Sequence, residues 1–174
     1  DILKFRFRLI LKYGCELRVL GIDPGIGTTG FGIIDLKSNS LSLIAYGTIN
    51  PKKNDSLPKR LNHLFEEINK ILNKFSPDIF SIEDMFYSQN VKTAMILGQA
   101  RGAMIIAGAQ ANIPIFEYAP RKVKMSVCGN GGASKEQVRY MVMKILNLKE
   151  VPGAFDVTDA IAVGICCINQ TRIT

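Results

Sequence analysis

The sequence predicts an α/β fold: a mixed five-stranded sheet, three antiparallel strands and then parallel ones, flanked by helices. Two patterns and one bulk property predict it. Three apolar runs, residues 18–23, 29–35 and 41–49, follow one another with no helix-length segment between them, so they pair as an antiparallel set. Beyond residue 55, helix-period segments alternate with short apolar runs, the βαβ pattern that brings parallel pairing and helices on both sheet faces. The 174 residues are 47% apolar and 21% charged, ordinary globular composition that excludes a disordered or fibrous chain. A chain of this length forms one domain and buries about 70% of its unfolded surface.

Taken in order, residues 1–17 stand apart as a basic extension to a domain spanning 18–174. Lys4, Arg6, Arg8 and Lys12 alternate with Phe5, Phe7, Leu9 and Leu11, a period of two that suits a short strand. The segment lacks the continuous apolar core of a secretory signal. The chain opens on Asp1 rather than Met, so the extension need be neither native nor ordered, and it receives no function.

Residues 18–23 (RVLGID) form the first strand, and the tract Ser38-Asn39-Ser40 turns the chain between the second and third. Ser56 is expected to cap a helix with Pro58 in its first turn; Leu61, Leu64, Ile68 and Leu72 then recur on one face. Residues 79–83 (IFSIE) are the fourth strand. A helix over about 90–111 is rich in Ala and Gly, from Gly98 to Ala109, so another element can approach it closely. Residues 113–118 are the fifth strand. The stretch after it, with Gly129, Gly131 and Gly132, reads as a loop. Ser134 caps a helix to about residue 146, and a last helix covers about 155–168 beyond Pro152-Gly153.

The charge balance is 22 basic against 15 acidic residues, net +7, which makes a polyanion a reasonable partner. No apolar run approaches the roughly 18 residues of a membrane span. The four cysteines, Cys15, Cys128, Cys166 and Cys167, show no zinc or disulfide spacing and read as buried, reduced thiols of a cytoplasmic protein.

Four carboxylates fall at the ends of elements. Asp23 closes the first strand, Glu83 the fourth, and Asp156 and Asp159 open the last helix at i and i+3, on one face. If the first and fourth strands are parallel neighbours, Asp23 and Glu83 emerge at the same edge. Gathered acids repel and call for a divalent cation; hard oxygen donors suit Mg²⁺ or Mn²⁺, and two such ions are a known way to cut a phosphodiester. Each acid also has a plainer reading. Asp23 before Pro24-Gly25 can be a turn residue, and Asp156 and Asp159 can serve the helix N-terminus. Glu83 is harder to explain that way, since strand carboxylates are seldom buried unpaired.

The stretch 24–32 (PGIGTTGFG) has four glycines and three readings: a phosphate cradle, a tight hairpin entry using positive φ, or room for a nucleic-acid backbone beside Asp23. Phe86 and Tyr87 follow Glu83 closely and can stack on an unpaired base or pack in a loop. Arg121, Lys122, Lys124, Lys135, Arg139 and Lys144 can contact phosphates or line a solvated face.

Together these segments resemble the RuvC family of bacterial Holliday-junction resolvases, which has an RNase H-like fold. LGIDPGIGTTGFGII, LPKRL, IEDMFYSQN, LGQARGAMI, IFEYAPRKVKMSVCGNGGASKEQV and DVTDAIAVGI carry the resemblance, in order, over residues 18–169. It implies an endonuclease that resolves four-way junction DNA by paired, symmetric, metal-dependent nicks, leaving a 5′-phosphate and a 3′-hydroxyl. It implies Asp23, Glu83, Asp156 and Asp159 as catalytic metal ligands for two Mg²⁺ ions, with Mn²⁺ able to substitute. Lys124 and Lys135 correspond to residues used near the DNA backbone, and Phe86 to one that contacts bases at the crossover. The resemblance also implies a homodimer, with the small-residue helix as a candidate contact, and RuvA and RuvB as partners. Two rival functions remain: a junction-binding module that does not cut, and an ATP-binding domain of the actin and Hsp70 group, whose phosphate loop resembles residues 23–30. A related RNase H-like protein acting on RNA is a further possibility that IEDMF and FEYAPRKVK disfavour.

Overall fold

A computed structural model describes residues 16–84, 90–150 and 153–173. The elements run β1 (Leu17–Asp23), β2 (Thr29–Lys37), β3 (Ser40–Ile49), α1 (Leu57–Phe75), β4 (Ile79–Glu83), α2 (Val91–Gln110), β5 (Ile115–Tyr118), α3 (Pro120–Cys128), α4 (Lys135–Ile145) and α5 (Phe155–Ile173). The five strands form one sheet in the order β3-β2-β1-β4-β5. β1–β2 and β2–β3 are antiparallel, and β1–β4 and β4–β5 are parallel, as expected from the element order.

The sheet is apolar on both faces because its strands alternate between two cores. Leu17 and Val19 pack with α3, α4 and α5, while Leu20 and Ile22 point to the other side, against α1 and α2. α5 is the central helix of its layer: Ala160 to Ile168 are buried throughout, which explains why it is apolar all round. Cys166 and Cys167 belong to this core as free thiols; burial pushes the Cys167 thiol up to about 12. Among the described residues, no helix is long and apolar enough to cross a membrane.

Several boundaries differ from expectation. Leu17, counted in the extension, opens β1 and is buried. Ser56 occupies the N-cap of α1, yet its side chain caps nothing; Pro58 and a left-handed Ser76 mark the two ends. The largest difference is α3, where a loop was expected. Pro120 starts it, Val123 and Val127 anchor one face, and Gly129 ends it at φ 69°. The remaining caps follow the sequence: Asn90 accepts from Thr93 N, and Ser134 and Gln137 close a capping box.

At the sheet edge where β1 begins, the Arg18 guanidinium binds both oxygens of Asp35 and the Phe75 carbonyl. That fork is satisfied within the fold. The opposite edge, where β1 and β4 end, is where the acids gather.

Candidate active site

β1 and β4 are parallel neighbours in register, with Ile22 opposite Ile82. The next residues, Asp23 and Glu83, therefore leave the sheet at one edge. Their carboxyls act on each other: Glu83 raises Asp23, and Asp23 lowers Glu83. Burial pushes the Asp23 carboxyl up to about 8, with the charges of Glu83 and Asp159 adding to it. Burial, and then Asp159, also raise Glu83. Two acids close together in a poorly solvated place keep a proton between them.

α5 supplies the other two acids, and bare glycine backbone lets it do so. Gly30 pairs with Asp23 across the β1–β2 ladder. A Cβ on Gly30 would stand 1.9 Å from the Asp156 carbonyl oxygen, and one on Gly21 would stand 2.2 Å from that of Ala160. A Cβ on Gly32 would meet the Ile161 side chain, 2.7 Å from its Cγ1. The helix thus lies directly on β1 and β2, with its first turn beside Asp23. None of the three sequence readings of the glycine stretch included this contact. The positive-φ reading fails: among the described residues, the glycines with positive φ are Gly129 and Gly153. Gly25 does make a tight turn, its missing Cβ facing the Thr28 carbonyl oxygen at 2.1 Å, closed by Thr29 Oγ1 donating to the Gly25 carbonyl at 2.6 Å.

Two lysines face this cluster. Lys135, the first residue of α4, places Nζ 2.7 Å from Asp159 Oδ2, and the charges of Asp23 and Asp156 act on it as well. Lys124, half-buried on α3, lowers Glu83. Lys122 lies over the Tyr118 ring, and the exposed Arg121 packs on Gly131. Phe86 and Tyr87 lie outside the described residues.

The donor set fits a divalent cation. It consists of carboxylate oxygens around a buried Asp23 whose charge the protein alone stabilises poorly. Among the described residues no three acids already converge at metal-binding range. Lys135 pairs with Asp159, and burial favours the protonated form of Asp23; a cation held by these carboxylates would take over both roles.

Three arginines brace the site, among them Arg139, a candidate phosphate contact in the sequence. Arg101 Nε donates to the Glu83 carbonyl at 3.1 Å. Arg60 Nη2 donates to the Ile26 carbonyl at 2.7 Å, holding the turn that follows Asp23. Arg139 Nη2 donates to the Gly153 carbonyl at 2.9 Å and stacks on Phe155, just before Asp156. One signal was available for Arg101: it and Lys92 are the charged residues of an otherwise apolar and small-residue helix.

The sequence matches the family described as crossover junction endodeoxyribonuclease RuvC over residues 19–167. It is 46% identical over 157 residues to the crossover junction endodeoxyribonuclease RuvC of Thermotoga maritima, covering 90% of this chain and 94% of that one. The fold superposes on the Thermus thermophilus RuvC structure with a TM-score of 0.83 at 29% identity. It superposes on T. thermophilus RuvC in complex with Holliday junction substrate with a TM-score of 0.85 at 30% identity. Both cover 90% of this chain and 96% of theirs.

Proposed function

The chain belongs to the RuvC family of crossover junction endodeoxyribonucleases, the Holliday-junction resolvases of homologous recombination, and from that premise we propose that Asp23, Glu83, Asp156 and Asp159 are its catalytic metal ligands. One observation carries the assignment. Asp23 and Glu83 end adjacent parallel strands, their charges acting on each other, and the Asp156 turn of α5 is seated against Gly30, the ladder partner of Asp23.

Two Mg²⁺ ions, with Mn²⁺ as substitute, would activate water and stabilise the charge developing on the scissile phosphate, giving a 5′-phosphate and a 3′-hydroxyl. The residues themselves do the rest. Asp23, central to the group, would hold the metal as the carboxylate, its proton lost. Glu83 and Asp159 flank it, and Asp156 completes the set from the first turn of α5. Lys135 releases Asp159 and turns its charge toward the DNA backbone, where Lys124, Arg121 and Lys122 add further cations. Phe86 and Tyr87 follow the site in sequence and suit contact with bases at the crossover.

The active unit we propose is a homodimer, each protomer a single nuclease domain that begins with β1 at Leu17, cutting opposed strands by paired symmetric nicks. The outer face of α2 supports it. Val91, Met95 and Ile106 are exposed there by 70%, 63% and 54%, and Gly98 and Gly102 fall on the same stripe. Ala100, Met104, Ala107 and Gly108 face inward. The small residues thus serve both sheet packing and an open outer stripe. RuvA and RuvB as branch-migration partners and a cytoplasmic location follow from the same family reading.

The test is single-turnover cleavage of a four-way junction by Asp23→Asn, Glu83→Gln, Asp156→Asn and Asp159→Asn. Loss of a metal ligand removes several kcal/mol of transition-state stabilisation, about 100- to 10,000-fold in rate. Junction binding in Ca²⁺ should survive in each variant. Full cleavage by any of them removes that residue from the set.

A further inference from the structure

The Arg101 guanidinium is 12% exposed and sits between three carbonyl or carboxylate groups from two strands. Its Nε donates to the Glu83 main-chain carbonyl at 3.1 Å. Its Nη2 binds the Glu117 carboxylate on β5 and lies 3.5 Å from Asp84 Oδ1. The side chain comes from the inward side of α2, the helix whose opposite side carries the exposed Val91–Met95–Ile106 stripe.

We infer that Arg101 is a positioning residue for the catalytic centre: it fixes the end of β4, and with it the Glu83 carboxylate, to α2 and β5. The inference rests on the reading of Glu83 as a metal ligand. The physical basis is direct. Glu83 is the last residue of β4. It pairs with Tyr118 of β5, and the Asp84 N–H donates to the Tyr118 carbonyl at 2.8 Å. The ladder to β1, however, stops one residue earlier, at Ile82, so the tie to α2 comes from Arg101. A carboxylate ligand is useful only when held to within a fraction of an ångström, and that precision comes from groups that fix its support. A planar guanidinium can hold a carbonyl and a carboxylate at once, in fixed relative orientation; an ammonium cannot. Charge is part of the design too. The two acidic partners of Arg101, Asp84 and Glu117, more than offset its charge, so the helix can carry a largely buried cation next to an acidic site without drawing on the Glu83 carboxylate. Through this contact, the position of the metal ligand depends on the placement of α2.

The experiment compares wild type with Arg101→Met, Arg101→Lys, Glu117→Gln and Glu83→Gln. Three quantities are read: the Mg²⁺ midpoint of thermal stabilisation without DNA, the Mg²⁺ dependence of single-turnover cleavage, and junction affinity in Ca²⁺. For Arg101→Met the account expects both Mg²⁺ midpoints to rise about 10- to 100-fold, with cleavage partly restored at high Mg²⁺ and junction affinity unchanged. Arg101→Lys, which keeps the charge and loses the fork, should fall between it and wild type. Glu117→Gln should shift the midpoints upward by a smaller factor, and it carries the test if Arg101→Met does not fold. Unchanged midpoints in both folded variants overturn the inference. So does a parallel loss of stability, junction affinity and rate that Mg²⁺ cannot restore. Glu83→Gln separates the two levels. If it cleaves normally, the metal-ligand reading fails; if it is inactive while Arg101→Met behaves as wild type, only the positioning role fails.

Discussion

Gly30 and the Asp156 carbonyl occupy the same space in turn: a Cβ on Gly30 would lie 1.9 Å from that oxygen. Gly30 is also the ladder partner of Asp23. One missing side chain therefore decides how near the first turn of α5 comes to the carboxylate at the end of β1. The site is assembled by backbone-to-backbone contact, and its geometry depends on glycine at this position for space rather than for flexibility.

Gly30→Ala is accordingly expected to push α5 outward. Overpacking of this kind costs about 1–3 kcal/mol, or about 2–4 °C of melting temperature for each kcal/mol in a chain this size. Cleavage should fall at least tenfold beyond what stability explains, with junction affinity kept. Melting curves beside single-turnover rates check this; wild-type cleavage by a folded Gly30→Ala protein would contradict it.

The raised Asp23 carboxyl predicts a pH dependence of the metal-free protein. Its unfolded value is 3.8 and its folded value about 8, so the folded state holds the proton more tightly. The associated stability is fully present below about pH 4 and is lost as pH rises toward 8. Lys135, also raised, titrates above 10.5 and lies outside this window. Asp23→Asn should therefore melt higher than wild type at pH 8 without metal, and the two should converge near pH 4. Mg²⁺ at pH 8 should raise the melting temperature of wild type more than that of the variant.

Lys135 and Asp159 form a pair whose side chains are 58% and 18% exposed. A pair this open contributes at most about 1 kcal/mol to stability. Lys135→Met should leave the fold nearly as stable as wild type, while junction cleavage drops by at least tenfold. A stability loss that accounts for the whole activity loss would make the pair merely structural.

The outer stripe of α2 yields a prediction about assembly. Met95→Glu with Ile106→Glu places charges on an exposed face, so the monomer should keep its melting temperature within a few degrees. Sedimentation should show a shift from dimer to monomer, and paired nicks should become single ones. A variant that stays dimeric would move the interface elsewhere.

Much of this arrangement was legible in the sequence because it depends on chain order and local pattern. Turn residues at 38–40, the helix period after Ser56 and the apolar run at 79–83 indicate three antiparallel strands and then parallel ones. They put Asp23 and Glu83 at one edge only on the condition that β1 and β4 are neighbours, which the observed sheet order supplies. The approach of α5 was not legible, since it rests on a contact between residues 126 positions apart, Gly30 and Asp156. α3 was hidden for another reason: its nine residues offer only Val123 and Val127 as a period, among glycines that suggest a loop. The charge of Arg101 stands out in its helix, but its main-chain partner, the Glu83 carbonyl, leaves no trace in residue type.

The most direct test is cleavage of a labelled, mobile four-way junction in Mg²⁺ by wild type and by Asp23→Asn, with linear duplex as control. The account predicts paired, symmetric, ligatable nicks in the junction alone, lost in the variant and in chelator. Equal cleavage by Asp23→Asn, or cutting that persists in chelator, would contradict a metal-dependent centre built on Asp23.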